Sequence, residues 1–232
     1  MTCEFTLTHY FDTLDRYKDA GYNVGPVSSF KNGNPKSLLL RHDIDLSLSY
    51  AKFFSMQEYA NDHVGTYYIY LNSEFYNALH PKSMDYIKQI AIHHEIGLHI
   101  DTRYYDNNQF NILTNIVGKA VTQFSQHYPG GNKTPPLNEY LSNVYRNAYF
   151  PCMKMGYLHL SDSSMRWKKG CFCQHIDKED KICISVHPEW WITGHQNKYL
   201  VLNHLGIVIA HQIGESLKEY QDLLKSEDAT RY

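Results

Sequence analysis

Short apolar runs that break off into acidic and imidazole side chains constrain this chain more than any other feature. Ser37-Leu38-Leu39-Leu40 breaks into Arg41-His42-Asp43-Ile44-Asp45. Residues 95–100 (Glu-Ile-Gly-Leu-His-Ile) run into Asp101-Thr102-Arg103, and residues 121–126 end at His127. Residues 157–160 stop at Ser161-Asp162, and residues 182–186 stop at His187-Pro188. Runs of this length and composition predict strands; the one at residues 37–40 has the look of a strand buried on both faces.

Helical spacing fills the intervals. Leu46, Tyr50, Phe53, Phe54, Gln57 and Ala60 recur every three to four residues, and Met84, Ile87, Ile90 and Ala91 do so behind Pro81, a residue suited to a first helical turn. Residues 64–71 are β-branched and aromatic and predict a further strand, and residues 108–117 a helix. An N-terminal amphipathic helix is expected over residues 5–20, closed by Gly21, and a surface helix over residues 213–224. Residues 25–35 carry Gly and Pro breakers and are expected to be loop, as are Pro129-Gly130-Gly131 and Pro135-Pro136. Strands alternating with helices require parallel pairing through crossovers. In such sheets the ligand site gathers at the carboxyl ends of the strands. Asp43, Asp45, His99, Asp101, His127, Asp162 and His187 therefore belong to one end of one sheet. At 232 residues the chain is expected to form a single domain, 1–232.

Composition narrows the function classes. A net charge of −2 without a basic run gives no footing for nucleic acid or an anionic membrane. No apolar stretch reaches the ~18 residues of a membrane span, and the first residues lack the pattern of a signal peptide, so a cytoplasmic protein is expected. Cys171-x-Cys173 lacks a second pair, so the five cysteines (3, 152, 171, 173 and 183) are read as thiols in a reducing compartment rather than as a zinc site. The competing reading of Asp43-x-Asp45 is a cap for the helix beginning near Leu46. His93 and His94 precede their strand and are expected to be surface or structural.

Three motifs in order, Arg41-His42-Asp43-Ile44-Asp45, His94-Glu95-Ile96-Gly97-Leu98-His99 and Val186-His187-Pro188, resemble those of polysaccharide deacetylases, the NodB-homology enzymes of carbohydrate esterase family 4. The similarity runs over residues 38–191. It is strongest to a divergent subgroup associated with surface-polysaccharide (O-antigen and lipopolysaccharide) biosynthesis, through Asp162-Ser163, Arg166-Trp167 and His187-Pro188-Glu189-Trp190-Trp191. The resemblance implies an α/β fold, an irregular (β/α) barrel, and a divalent metal, usually zinc, held by an aspartate and histidines. By position Asp45 and His99 match metal ligands, Asp43 the catalytic base, and His187 the acid that protonates the leaving amine.

Two departures follow from the same comparison. Arg103 stands where the family has its second ligand histidine, so Asp101 or His127 is expected to complete the set. His127-Tyr128-Pro129 stands where the family has arginine-x-proline, leaving Arg41 or Arg166 to pair with Asp43. Arg166 and Trp190 are expected to touch substrate, and Trp167, Trp191, Tyr68 and Tyr70 are candidates to wall a sugar. The implied activity is removal of an N-acetyl or N-formyl group from an amino sugar carried on a nucleotide or lipid. The alternative is a catalytically inactive, deacetylase-like carbohydrate-binding protein.

Overall fold

The computed structural model describes residues 3–30, 35–127 and 145–229, with side chains up to residue 225. The expected turns at Pro129-Gly130-Gly131 and Pro135-Pro136, and the Tyr128-Pro129 part of the His127 motif, lie outside the described residues. In chain order the elements are α1 (Leu7–Asp19), β1 (Asn23–Pro26), β2 (Ser37–Ile44), α2 (Leu48–Ala60), β3 (Thr66–Tyr70), α3 (Pro81–His93), β4 (Glu95–Ile100) and α4 (Asn108–Val117). They continue with β5 (Gln123–Gln126), β6 (Arg146–Asn147), α5 (Phe150–Lys154), β7 (Leu158–Ser161), β8 (Lys181–Val186), α6 (Glu189–Ile192) and α7 (Lys198–Ala229). Among the described residues no helix is long and apolar enough to cross a membrane.

Every strand pairing is parallel, in the order β6-β5-β4-β3-β2-β8-β7, with β1 added against the first half of β2. The sheet curls into a half-barrel. Its end strands β6 and β7 do not pair among the described residues; the Tyr149 ring, just past β6, meets His159 of β7 edge to face at 5.2 Å across that gap. Among the described residues the sheet is therefore open at this seam, with the Tyr149–His159 contact bridging it.

Strand alternation sorts the residues into two populations. Leu38, Leu40 and Ile44 of β2, Tyr67 and Ile69 of β3, Ile96, Leu98 and Ile100 of β4, and Ile182, Ile184 and Val186 of β8 turn outward into one continuous core beneath the helices. Their neighbours Arg41, Asp43, Tyr68, Gly97, His99, Ser125, His159, Ser185 and His187 turn inward. The outer core holds one polar knot. Glu58 of α2 is fully buried; it accepts from Tyr10 Oη at 2.6 Å and Tyr67 Oη at 2.7 Å, and lies 3.0 Å from His42 Nε2. His42 thus serves the helix layer, one residue away from the inward-facing Asp43. His94 belongs to the same layer, with its Nε2 on the Ser55 carbonyl at 2.9 Å and its Nδ1 accepting from Gly65 N, which makes it structural as expected.

Two expectations about elements are corrected. Residues 23–26 form a strand despite Gly25 and Pro26, because β1 needs a partner only on its β2 side. The last helix begins at Lys198 rather than near residue 213, anchored by the buried Val201 and Leu205. Gly206 and Gly214 obscure that length in the sequence, since glycine weakens a helical pattern without ending it.

Candidate active site

The inward side chains meet in a cavity of about 560 Å³ at the carboxyl ends of the strands, lined by Asp43, Asp45, His99, His127, Tyr149, His159, Ser185 and His187. Arg166, Lys168 and Lys169 stand at its rim. Four of the five site histidines and aspartates expected from the sequence, Asp43, Asp45, His99 and His187, reach it from β2, β4 and β8. The fifth, His127, follows β5.

Asp45 directly follows β2, and the backbone there is pinned by Ser73 Oγ donating to the Asp45 carbonyl at 2.8 Å and Tyr76 Oη to the Ile44 carbonyl at 2.7 Å. It caps nothing: Ser47 is the N-cap of α2, accepting from Tyr50 N. Asp45 Oδ1 lies 3.2 Å from His99 Nε2 and 3.4 Å from His127 Nδ1, and those two nitrogens are 3.0 Å apart. The three donor atoms form a compact group, and Asp45 Oδ1 receives no well-aligned hydrogen bond. Burial alone would raise the Asp45 carboxyl; the nearby His127 and His99, with His187 beyond them, outweigh it and hold the group well below the ordinary carboxylate range. Ser125 meets His99 Nδ1 at 2.5 Å and donates to Asp43 Oδ1 at 3.2 Å, orienting the imidazole from behind.

Asp43 is gripped by Arg41, Nε to Oδ1 at 2.9 Å and a terminal nitrogen to Oδ2 at 2.8 Å. Burial opposes its charge, but Arg41 and then His99 prevail and hold it down at about 2. Arg41, fully buried, lies under the Tyr149 ring at 4.2 Å. Of the two arginines expected as partners for Asp43, Arg41 fills the role and Arg166 stays at the rim.

His187 Nδ1 sits 2.6 Å from Asp162 Oδ1, and Asp162 Oδ2 accepts from Trp191 Nε1 at 2.8 Å. The His187 Nε2 edge is left toward the cavity, 3.6 Å from Asp45 Oδ2. Burial lowers the imidazole, but the Asp162 charge and hydrogen bond, joined by Asp45, more than reverse this and raise His187 to about 10. It is protonated at neutral pH.

Other expectations are corrected here. Asp101 does not join the Asp45 group: Arg103 turns back on it, with backbone N and Nε each donating to Oδ1 at 2.9 Å, so the arginine that replaces histidine also occupies the neighbouring carboxylate. Trp190 does not reach the cavity. The turn α6 rotates both indoles into the core, where Trp191 is 1% and Trp190 7% exposed. Trp167 packs on Phe172 and Trp191, and Tyr68 is buried, its Oη donating to Gln123; of the proposed sugar-walling aromatics, Tyr70 alone borders the group, stacked on His127 at 5.1 Å. Sequence reasoning placed Asp162 at this end of the sheet without assigning it a partner, and did not single out Ser125, Tyr149 or His159. Strand parity was the available signal for Ser125, two residues before His127.

No family model matches the chain, and no curated protein matches it. Among solved structures the chain is similar to a variant of the peptidoglycan deacetylase PdaC from Bacillus subtilis, at 15% identity and a TM-score of 0.44, over 82% of this chain and 99% of that one.

Proposed function

We propose that the chain is a metal-dependent hydrolase that removes an N-acyl group, acetyl or formyl, from an amino sugar used in surface-polysaccharide synthesis. The observation that carries this reading is the placing of the Asp45 group, the Arg41–Asp43 pair and the Asp162–His187 pair around one cavity. The donor set fits a divalent metal such as zinc. One carboxylate oxygen and two ring nitrogens stand 3.0–3.4 Å apart. Donors at the usual ~2.0–2.1 Å from a tetrahedral zinc stand about 3.3 Å apart. Asp45, His99 and His127 would hold the ion, which when bound polarises the acyl carbonyl and acidifies water.

The chain's own residues supply the proton transfers. Arg41 keeps Asp43 anionic, the form that accepts a proton from attacking water, and fixes its plane. His187, charged at neutral pH and held through Nδ1 by Asp162, presents Nε2 as the donor to the departing amine. Arg166, Lys168 and Lys169 at the mouth suit an anionic substrate, which favours a sugar carried on a nucleotide or lipid phosphate. The alternative of an inactive carbohydrate-binding barrel rests on Arg103; the second imidazole that His127 sets against His99 speaks against it.

The test is release of acetate or formate from nucleotide-linked and free N-acylated hexosamines by zinc-loaded protein. Release is expected from the linked sugars and is expected to be lost in Asp43→Asn and His187→Ala while their zinc content holds. Zinc-loaded protein that releases no acid from any of these sugars, yet binds them, would make the inactive binder the correct reading.

A further inference from the structure

A second group of soft ligands lies outside the cavity, on the opposite side of Trp191. Cys3, His9, Cys171 and Cys173 bring three sulfurs and one ring nitrogen within 4.8 Å of one another. Cys3 Sγ is 3.4 Å from Cys173 Sγ, and His9 Nε2 is 3.4 Å from Cys171 Sγ. A tetrahedral zinc with bonds of ~2.3 Å to sulfur and ~2.0–2.1 Å to nitrogen needs S–S edges of about 3.8 Å and S–N edges of about 3.6 Å. The observed pairs differ from those edges by a few tenths of an ångström, and the composition, three cysteines and one histidine, is that of a closed structural site.

The local structure explains how distant residues converge. Thr6 caps α1 by accepting from His9 N, which sets His9 in the first turn, with Cys3 just ahead of it. Cys171 and Cys173 flank Phe172, whose ring is fully buried and whose carbonyl accepts from Tyr17 Oη at 2.6 Å. The tight turn Phe172–Gln174 brings both thiols to one side, and Gln174 Nε2 donates to Cys3 Sγ at 3.4 Å. The motif Cys171-x-Cys173 therefore does find a second pair, but 162 or more positions away in the sequence. A Cys3–Cys173 disulfide would use two of the four donors and leave Cys171 and His9 without a purpose.

We propose that Cys3, His9, Cys171 and Cys173 bind a structural zinc ion that clips the N-terminal segment and α1 to the turn ahead of β8. The clip braces the cavity from outside: His9 stacks on Trp191 at 6.4 Å, and Trp191 donates to Asp162, the partner of His187. The two metal groups share no residue, so this proposal stands whether or not the Asp45 group binds metal.

The deciding measurement is zinc X-ray absorption on the full chain purified under reductant without strong chelator, with Asp45→Ala beside the wild type. A sulfur shell at about 2.3 Å is expected in both, since the Asp45 group contains no sulfur. Cys3→Ser, at the chain's edge, is expected to lose the sulfur-bound zinc while keeping native circular dichroism. Cobalt(II) substitution is expected to give a thiolate charge-transfer band that the same variant lacks. Zinc held only by nitrogen and oxygen in the wild type would overturn the proposal, and so would a Cys3–Cys173 disulfide in protein alkylated without reductant.

Discussion

Replacing Asp162 by Asn changes one charge and almost no volume, and it tests the proton economy of the site directly. Asp162 is fully buried and accepts three hydrogen bonds, from His187 Nδ1 at 2.6 Å, from Trp191 Nε1 at 2.8 Å and from His187 N at 3.1–3.2 Å. An amide oxygen can keep the Trp191 bond, but the amide adds no negative charge and its NH2 cannot accept from Nδ1. Removing an opposite charge at this distance costs a pKa about 2 units, so His187 falls from about 10 to roughly 8 or below. The folded value lies above the ~6.5 of an unfolded histidine, so the proton stabilises the fold below pH ~6.5, and that contribution is lost as pH rises through the folded value. Between pH 6 and 10 the wild type should lose about 4 kcal/mol from this group, and Asp162→Asn about 2 kcal/mol.

Urea unfolding of both proteins at pH 6, 8 and 10, in the same metal-free buffer, reads that difference. The wild type's stability advantage should shrink by about 2 kcal/mol across the range. Titration of the imidazole 15N resonances should show the midpoint of His187 moving down in the variant. Turnover should also fall above neutral pH, with the basic limb of its pH profile moving down in the variant, because His187 gives up its acid form at a lower pH once the Asp162 charge is gone. Parallel stability curves and an unmoved His187 midpoint would refute the assignment of Asp162 as the group that charges this histidine.

Two further outcomes follow from the geometry. His127→Ala should weaken zinc binding at the Asp45 group by well over ~10-fold, whereas Asp101→Ala, whose carboxylate is already held by Arg103, should leave it within that range, both read by calorimetric titration. Gly97→Ala should destabilise by about 1–3 kcal/mol in chemical denaturation, because its Cβ would meet the Tyr68 ring near 2.4 Å and the Gln123 carbonyl at 3.1 Å.

The sequence made the strand ends legible because the site motifs share the period of a strand. Asp43 and Asp45 are two apart and face one way; His99 and His187 end strands whose apolar partners bury outward. The same rule failed for Trp190 and Trp191, because a helical turn begins at Glu189 and period two no longer applies. The choice between Asp101 and His127 was open because it depended on where Arg103 pointed, and that is a matter of contacts, not spacing. The meeting of Cys3 with Cys173 is hidden for a related reason: residues 170 positions apart leave no local signature in the sequence.

The electrostatics of the cavity bear on the metal reading independently of the donor spacing. Asp43, Asp45 and Asp162 each sit against an arginine or imidazole side chain at the cavity. Asp43 is neutralised by Arg41 and Asp162 by the protonated His187, each through hydrogen bonds of 2.6–2.9 Å. Asp45 has the His99 and His127 nitrogens at Oδ1 and the charged His187 3.6 Å from Oδ2, a cation it shares with Asp162. Asp45 also keeps an oxygen without an aligned donor. The surrounding imidazoles keep Asp45 anionic, and an anion with a free lone pair is a ready ligand for a cation. A dication held by Asp45, His99 and His127 would use that oxygen, and it would leave the Arg41–Asp43 and Asp162–His187 pairs free to move protons.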